Sequence, residues 1–228
     1  MLMMLRRGDE GLLDLGLGFT GGVMLVASFT SLILPGVEGW GFWQVGPGLL
    51  GGVVLIRLLD LLIPHVHWIR GYEGPAELAN KVKRSWLVAL AITIHNIPEG
   101  LAVGVSTAYD PRLGLATALA IAIQDVPEGA AVVMPLLRYQ LVRTAVAVGV
   151  LSALVEGGAA VISGVASAGL PSVLGLAMGL AGGAMLYVTA AELYPEIYAE
   201  GKRKAYPTFG FVLGVLLMLY LDTAFSPS

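Results

Sequence analysis

Apolar runs of membrane-spanning length recur from one end of this chain to the other, and they restrict the fold more than any other feature. About 20 consecutive apolar residues cross the hydrocarbon core as a helix. Inside lipid, a helix satisfies its own backbone hydrogen bonds, which an open sheet cannot do. Of the 228 residues, 57% are hydrophobic and only 13% are charged. A soluble domain carries about 25% charged residues to solvate its surface. The sequence therefore predicts an all-α polytopic membrane helix bundle, one membrane domain over 1–228.

Seven spans are expected, at roughly 15–35, 42–63, 86–109, 113–137, 144–168, 171–194 and 206–225. The basic residues between them alternate in placement. Arg6 and Arg7 precede the first span, and the connection 36–41 has no Lys or Arg. Arg70, Lys81, Lys83 and Arg84 lie in the loop 64–85, and Arg112 is alone in the next. Arg138 and Arg143 flank the following turn, 169–170 has none, and Lys202, Arg203 and Lys204 fill the last. Eleven of the 13 basic residues thus share one side, with Arg112 opposite and Arg57 inside a span. The positive-inside rule then places the N-terminus in the cytoplasm and the C-terminus outside.

Cysteine is absent, which excludes disulfides and thiolate ligands. No cleavable signal peptide is expected, because the apolar stretch after Arg6 and Arg7 runs straight into a full span. The 31 glycines suit close helix packing in lipid, Gly210 and Gly214 forming a GxxxG. The loop 64–85 holds Pro64, His65 and His67, and its Gly, Pro and charged residues predict a mobile cytoplasmic segment.

One six-residue phrase occurs twice. His95-Asn96-Ile97-Pro98-Glu99-Gly100 and Gln124-Asp125-Val126-Pro127-Glu128-Gly129 are 29 residues apart, each inside an apolar stretch. Ionisable groups at membrane depth are costly, so an intramembrane cluster of them marks a functional site. On a helix His95, Asn96 and Glu99 occupy one arc of about 100°, as do Gln124, Asp125 and Glu128. The short connection 109–112 makes the two helices an antiparallel hairpin. At ~1.5 Å per residue, the phrases lie ~19 and ~23 Å from that turn. Glu156 lies ~20 Å along its span from Arg143, so it reaches the same depth.

This set comprises one His, four carboxylates and two amides. Imidazole with carboxylates suits Zn(II), Fe(II), Mn(II) or Co(II), and an all-oxygen set would suit Mg(II) or Ca(II). Glu99 and Glu128 sit centrally on their arcs and can bridge two ions. Pro98 and Pro127 lack an N–H, which frees the carbonyls of Ile94 and Ile123 and bends each helix. Such breaks are tolerated at membrane depth where the freed backbone faces protein or a wet cavity, and transporters place binding sites there.

The paired phrases resemble the motifs of the ZIP (Zrt/Irt-like) metal transporters, particularly their prokaryotic branch. The resemblance extends from Gly21-Gly22-Val23-Met24-Leu25 to the last span. It implies transport of a divalent transition metal, zinc first and Fe, Mn, Cd or Co besides, toward the cytoplasm through a binuclear site. One metal position would involve His95, Glu99, Gln124 and Glu128; the second would involve Asn96, Glu99, Asp125, Glu128 and Glu156. It also implies an elevator-like motion, a homodimer and a prokaryotic plasma (inner) membrane. Asp60, His65, His67 and Glu192 fall where the family has cytoplasm-facing metal positions. The chain departs from the family in two ways. ZIP proteins have eight spans with both termini outside, and the expectation here is that bundle without its first helix. The His that often precedes Glu192 is Ala191 in this chain.

Plainer roles stand beside these. Pro-Glu-Gly in a span can be a kink with a neutral glutamate, and Glu156 before Gly157-Gly158 a packing position. His65 and His67 read first as solvated loop residues, and Asp60 with Arg57, at i and i+3, as an ion pair near the inner face. Glu192 and Glu196 beside Tyr194 and Pro195 read as an interfacial helix end. Glu38 with Trp40 and Trp43 reads as outer-interface anchoring. Two functional alternatives differ in class. A non-transporting or sensing form would bind metal without flux. An intramembrane metal-dependent hydrolase would need two or three His around an open metal position, and the chain has three His in all with no His-Glu-x-x-His. The partners expected are the bilayer and divalent metal ions, with no nucleic acid, no organic cofactor and no catalytic residues.

Overall fold

A computed structural model describes residues 7–67, 71–74, 76, 84–138, 142–198 and 204–225. Helix α1 (Arg7–Ala27) passes into a π-helical stretch, Ser28–Ile33, and on into α2 (Leu34–Trp40). Then come α3 (Phe42–Leu62), a two-stranded hairpin of β1 (His65–His67) and β2 (Gly71–Glu73), α4 (Arg84–Tyr109), α5 (Pro111–Arg138) and α6 (Val142–Gly169). A 3-10 turn, Pro171–Val173, leads into α7 (Leu174–Tyr187), a second π stretch (Val188–Leu193), α8 (Tyr194–Ile197) and α9 (Ala205–Phe225).

The helices fall on all seven expected spans. Five stretches among the described residues are long and apolar enough to cross a membrane: Gly11–Trp40, Phe42–Leu62, Val142–Gly169, Pro171–Leu193 and Ala205–Phe225. The other two spans are α4 and α5, of 26 and 28 residues.

One expectation about connections is corrected. The link 36–41 is a single residue, because helix continues to Trp40 and only Gly41, at φ 76°, breaks it. That left-handed conformation is strained for any residue with a Cβ. The loop after α3 carries a hairpin where it is described. Residues 65–67 pair antiparallel with 71–73, in the register His65 with Glu73 and His67 with Gly71. Arg6, Arg70, Lys81, Lys83, Lys202 and Arg203 lie outside the described residues.

Both π stretches precede a proline, Pro35 and Pro195. In an α-helix the proline ring collides with the carbonyl four residues back. A widened turn relieves this: the N–H of Leu34 donates to Phe29 O, and that of Tyr194 to Thr189 O, each five residues back. The arrangement of long helix, π turn and short Pro helix therefore occurs twice, followed each time by a further long helix. The two copies pack crosswise, α1 on α9 and α7 on α3.

Glycines set those contacts. A Cβ at Gly210 would lie 1.9 Å from Leu15 O, one at Gly52 2.0 Å from Leu180 O, and one at Gly100 2.2 Å from Glu156 O. No side chain fits, so the backbones of α1 and α9, of α3 and α7, and of α4 and α6 touch directly. Small residues at i and i+4 drive such close approach in lipid. The core between them includes Met24, Ile94, Ile121, Met178 and Met185, all fully buried.

Candidate metal site

The hairpin of α4 and α5 sets the register of the two phrases. Tyr109 ends one helix and Pro111 begins the next, so Asp110 alone connects them. Asp110 Oδ1 accepts hydrogen bonds from the N–H groups of Arg112 at 2.8 Å and Leu113 at 3.0 Å, capping α5. Pro111 at the first helical position has no N–H to satisfy there. The helical assignment continues without interruption through Pro98 and Pro127.

With that register Gln124 faces Glu99. Its Nε2 donates to Glu99 Oε1 at 2.6 Å, and both side chains are fully buried. One turn along, Asn96 Nδ2 donates to Glu156 Oε2 at 3.2 Å, bringing α6 to the same place. Glu99, Asp125 and Glu156 each offer a carboxylate oxygen, and these atoms all lie within 4.8 Å of one another. Glu128 is close enough to act electrostatically on both Glu99 and Asp125. Four carboxylates from three helices thus converge in a region of low dielectric, where like charges repel strongly. Protonation or a divalent cation relieves this repulsion, and oxygen donors at this density can hold such a cation.

His95 Nε2 is hydrogen-bonded to Glu192 Oε2, which lies in the π stretch after α7. Glu192 is buried, not an interfacial helix end. The π turn carries it inward, because widening the helix there shifts the face on which residue 192 emerges. His95 thus has a partner, Glu192, that is not part of the expected grouping with Glu99, Gln124 and Glu128.

A second polar group lies at the end of α3. Tyr187 Oη donates to Asp60 Oδ2 at 2.9 Å. His65 Nε2 is 3.7 Å from Asp60 Oδ1, while its Nδ1 is 2.7 Å from Ile63 O. Two plain expectations fail here. His65 is fully buried and not solvated, because β1 packs against α4. Arg57 does not pair with Asp60; its Nη1 extends to Glu73 on β2 at 3.9 Å. Among the described residues, Asp60, His65 and Glu192 form no carboxylate–imidazole grouping as tight as that of Glu99, Asp125 and Glu156. The backbone of His67 pairs with Gly71, and its side chain lies outside the described residues.

Sequence reasoning missed Tyr187, whose hydroxyl is an ordinary feature of an apolar helix until Asp60 is placed opposite it. It also missed the contact of α1 with the second phrase. The signal available was Thr20, a hydroxyl two positions ahead of Gly22 in a helix otherwise apolar at that depth.

Comparison with known proteins identifies the family. The sequence model of the family described as ZIP Zinc transporter matches residues 73–222, which contain both phrases and Glu156. The chain is 43% identical to "Zinc transporter ZIPB" of Bordetella bronchiseptica, over 92% of its own length and 71% of that protein's. It is 39% identical to "Zinc transporter GufA" of Myxococcus xanthus, over 78% and 70% of the respective chains. It is 36% identical to "Zinc transporter ZupT" of Corynebacterium glutamicum, over 92% and 86%. The duplicated phrase, the carboxylates it gathers between three membrane helices and these matches lead to one conclusion: the chain belongs to the ZIP family of metal transporters.

Proposed function

We propose that this protein carries divalent transition-metal ions, zinc foremost, across a prokaryotic plasma membrane toward the cytoplasm, as a homodimer. The single observation that carries the reading is the meeting of Glu99, Asp125 and Glu156 within 4.8 Å. They come from three helices that cross the membrane, and the two amides Asn96 and Gln124 hold the carboxylates in place.

An ion leaving water gives up its hydration shell, and a transport site must replace it without holding the ion irreversibly. Carboxylate oxygens do this for Zn(II), Fe(II) and Mn(II). Glu99, Asp125, Glu128 and Glu156 carry four formal negative charges when ionised, which two divalent ions neutralise. This balance supports a binuclear site, with Glu99 and Glu128 shared. Gln124 fixes one oxygen of Glu99 and leaves the other for metal. His95 supplies the softer donor that favours transition metals over Mg(II) once it turns from Glu192. Release toward the cytoplasm would pass Glu192, Asp60 and His65, which line the inner ends of α7 and α3. The clustering of basic residues on the N-terminal side supports that orientation.

The relatives are named as transporters, so neither a hydrolase nor a non-transporting form is favoured. Purified protein in liposomes loaded with a metal-sensitive dye tests the proposal. Uptake of Zn(II) or Cd(II) should saturate with concentration, and Glu99→Ala with Glu128→Ala should abolish it. Wild-type uptake no faster than empty liposomes would overturn the reading.

A further inference from the structure

Gly16 and Thr20 lie one turn apart on the same face of α1, and both meet α5 at its second phrase. A Cβ added at Gly16 would lie 2.5 Å from Pro127 Cβ, so the proline ring seats where a side chain would otherwise be. Thr20 is fully buried, and its Oγ1 donates to the main-chain carbonyl of Gln124 at 3.3 Å.

That hydrogen bond is out of pattern for this molecule. Ser28, Thr30, Ser106, Thr107, Thr117 and Thr189 each turn the hydroxyl back to the carbonyl four residues earlier in their own helix. This is the usual habit of hydroxyls inside helices. Thr20 crosses to a neighbouring helix instead, beside the carbonyl that Pro127 leaves without its helical donor. Pro127 removes the hydrogen bond to the carbonyl of Ile123, and Gln124 is the next residue. The same Gln124 holds Glu99 through its amide, at 2.6 Å. An unbroken path of contacts therefore runs from Thr20 through the backbone and side chain of Gln124 to a carboxylate of the metal cluster.

We propose that Thr20 is a positioning residue for metal binding: its hydroxyl, with the notch at Gly16, fixes the turn of α5 that aims Gln124 at Glu99. This rests on the metal-transport reading above. Thr20 touches no ion itself and acts through Gln124.

The test compares the full chain with Thr20→Val, which keeps the shape and loses the hydroxyl, and Thr20→Ser, which keeps the hydroxyl. Zn(II) affinity is measured in detergent, and KM and Vmax for Zn(II) uptake in liposomes. A hydrogen bond of this kind contributes about 0.5–1.5 kcal/mol, so Thr20→Val should raise Kd and KM about 2- to 12-fold. Vmax should stay within about twofold, and Thr20→Ser should match wild type. Thr20→Ala carries the same expectation as Thr20→Val and replaces it if the latter does not fold. Unchanged Kd and KM in the variants without a hydroxyl would overturn the proposal. So would equal impairment of Thr20→Ser, which would make the role one of packing, or a fall in Vmax alone. A wild type that neither binds nor takes up metal would overturn the functional reading and this inference with it. A wild type that does both, beside an unaltered Thr20→Val, overturns this inference only.

Discussion

His95 and Glu192, 97 positions apart, are hydrogen-bonded to each other between α4 and the π stretch that follows α7. The contact joins the first polar phrase to the inner polar group of Asp60, Tyr187 and His65. Losing a partner from a buried polar group costs about 1–3 kcal/mol. Glu192→Ala should therefore lower the unfolding midpoint of the metal-free protein in detergent. Glu192→Gln keeps an acceptor and should lower it less. Equal midpoints for wild type and Glu192→Ala would show that the pair contributes nothing to the fold.

The carboxylate cluster makes a prediction of opposite sign with and without metal. Glu156→Gln removes one of the converging charges while keeping the shape of the side chain. Less repulsion should raise the thermal midpoint of the metal-free protein. Stabilisation by bound ligand grows as RT ln(1 + [L]/Kd), about 2.7 kcal/mol at one hundred times Kd. The rise in midpoint on adding Zn(II) should shrink in the variant. Thermal scans at matched Zn(II) concentrations check both signs.

Much of this was legible in the sequence, and the boundary has a physical cause. The spans, the hairpin of α4 and α5 and the pairing of the two phrases follow from apolar length and helical geometry, which are local. Counting depth places Glu156 level with the two phrases, but does not give its contact with Asn96. The pairing of His95 with Glu192 was not legible, because it depends on a π turn that rotates residue 192 inward. Pro195 was visible, but proline also ends helices, and nothing local distinguishes the two outcomes. His65 looked solvated because composition describes a loop's average and not where a three-residue strand tucks one ring.

The glycine contacts separate positions that look alike in sequence. Gly210→Val places a side chain where a Cβ already lies 1.9 Å from Leu15 O, and α1 must leave α9. Overpacking of this kind costs about 1–3 kcal/mol and often more. Gly149 on α6 has nothing within 4 Å of its added Cβ. Gly149→Ala should be neutral or stabilising by about 0.5–1 kcal/mol, the helical preference of Ala over Gly. The unfolding midpoint should fall for Gly210→Val and stay level or rise for Gly149→Ala.

Asp60 and Arg57 are three residues apart, yet their partners predict different penalties. Tyr187→Phe removes the donor to a buried carboxylate at 2.9 Å and should cost about 1–3 kcal/mol. Glu73→Ala breaks a pair whose Arg57 side chain is 49% exposed, at 3.9 Å. Exposed pairs are screened by solvent and contribute little, so this variant should lose less stability than Tyr187→Phe. Parallel denaturation of the two variants checks the order.

The central claim is that Glu99, Asp125 and Glu156 form the seat of a transported ion. Anomalous X-ray diffraction at the zinc edge, from crystals grown with Zn(II), tests it most directly. The account predicts a peak between these three residues, at about 2.0–2.2 Å from their carboxylate oxygens, the usual Zn–O distance. Zinc found only between His95 and Glu192, or bound with this cluster empty, would contradict it.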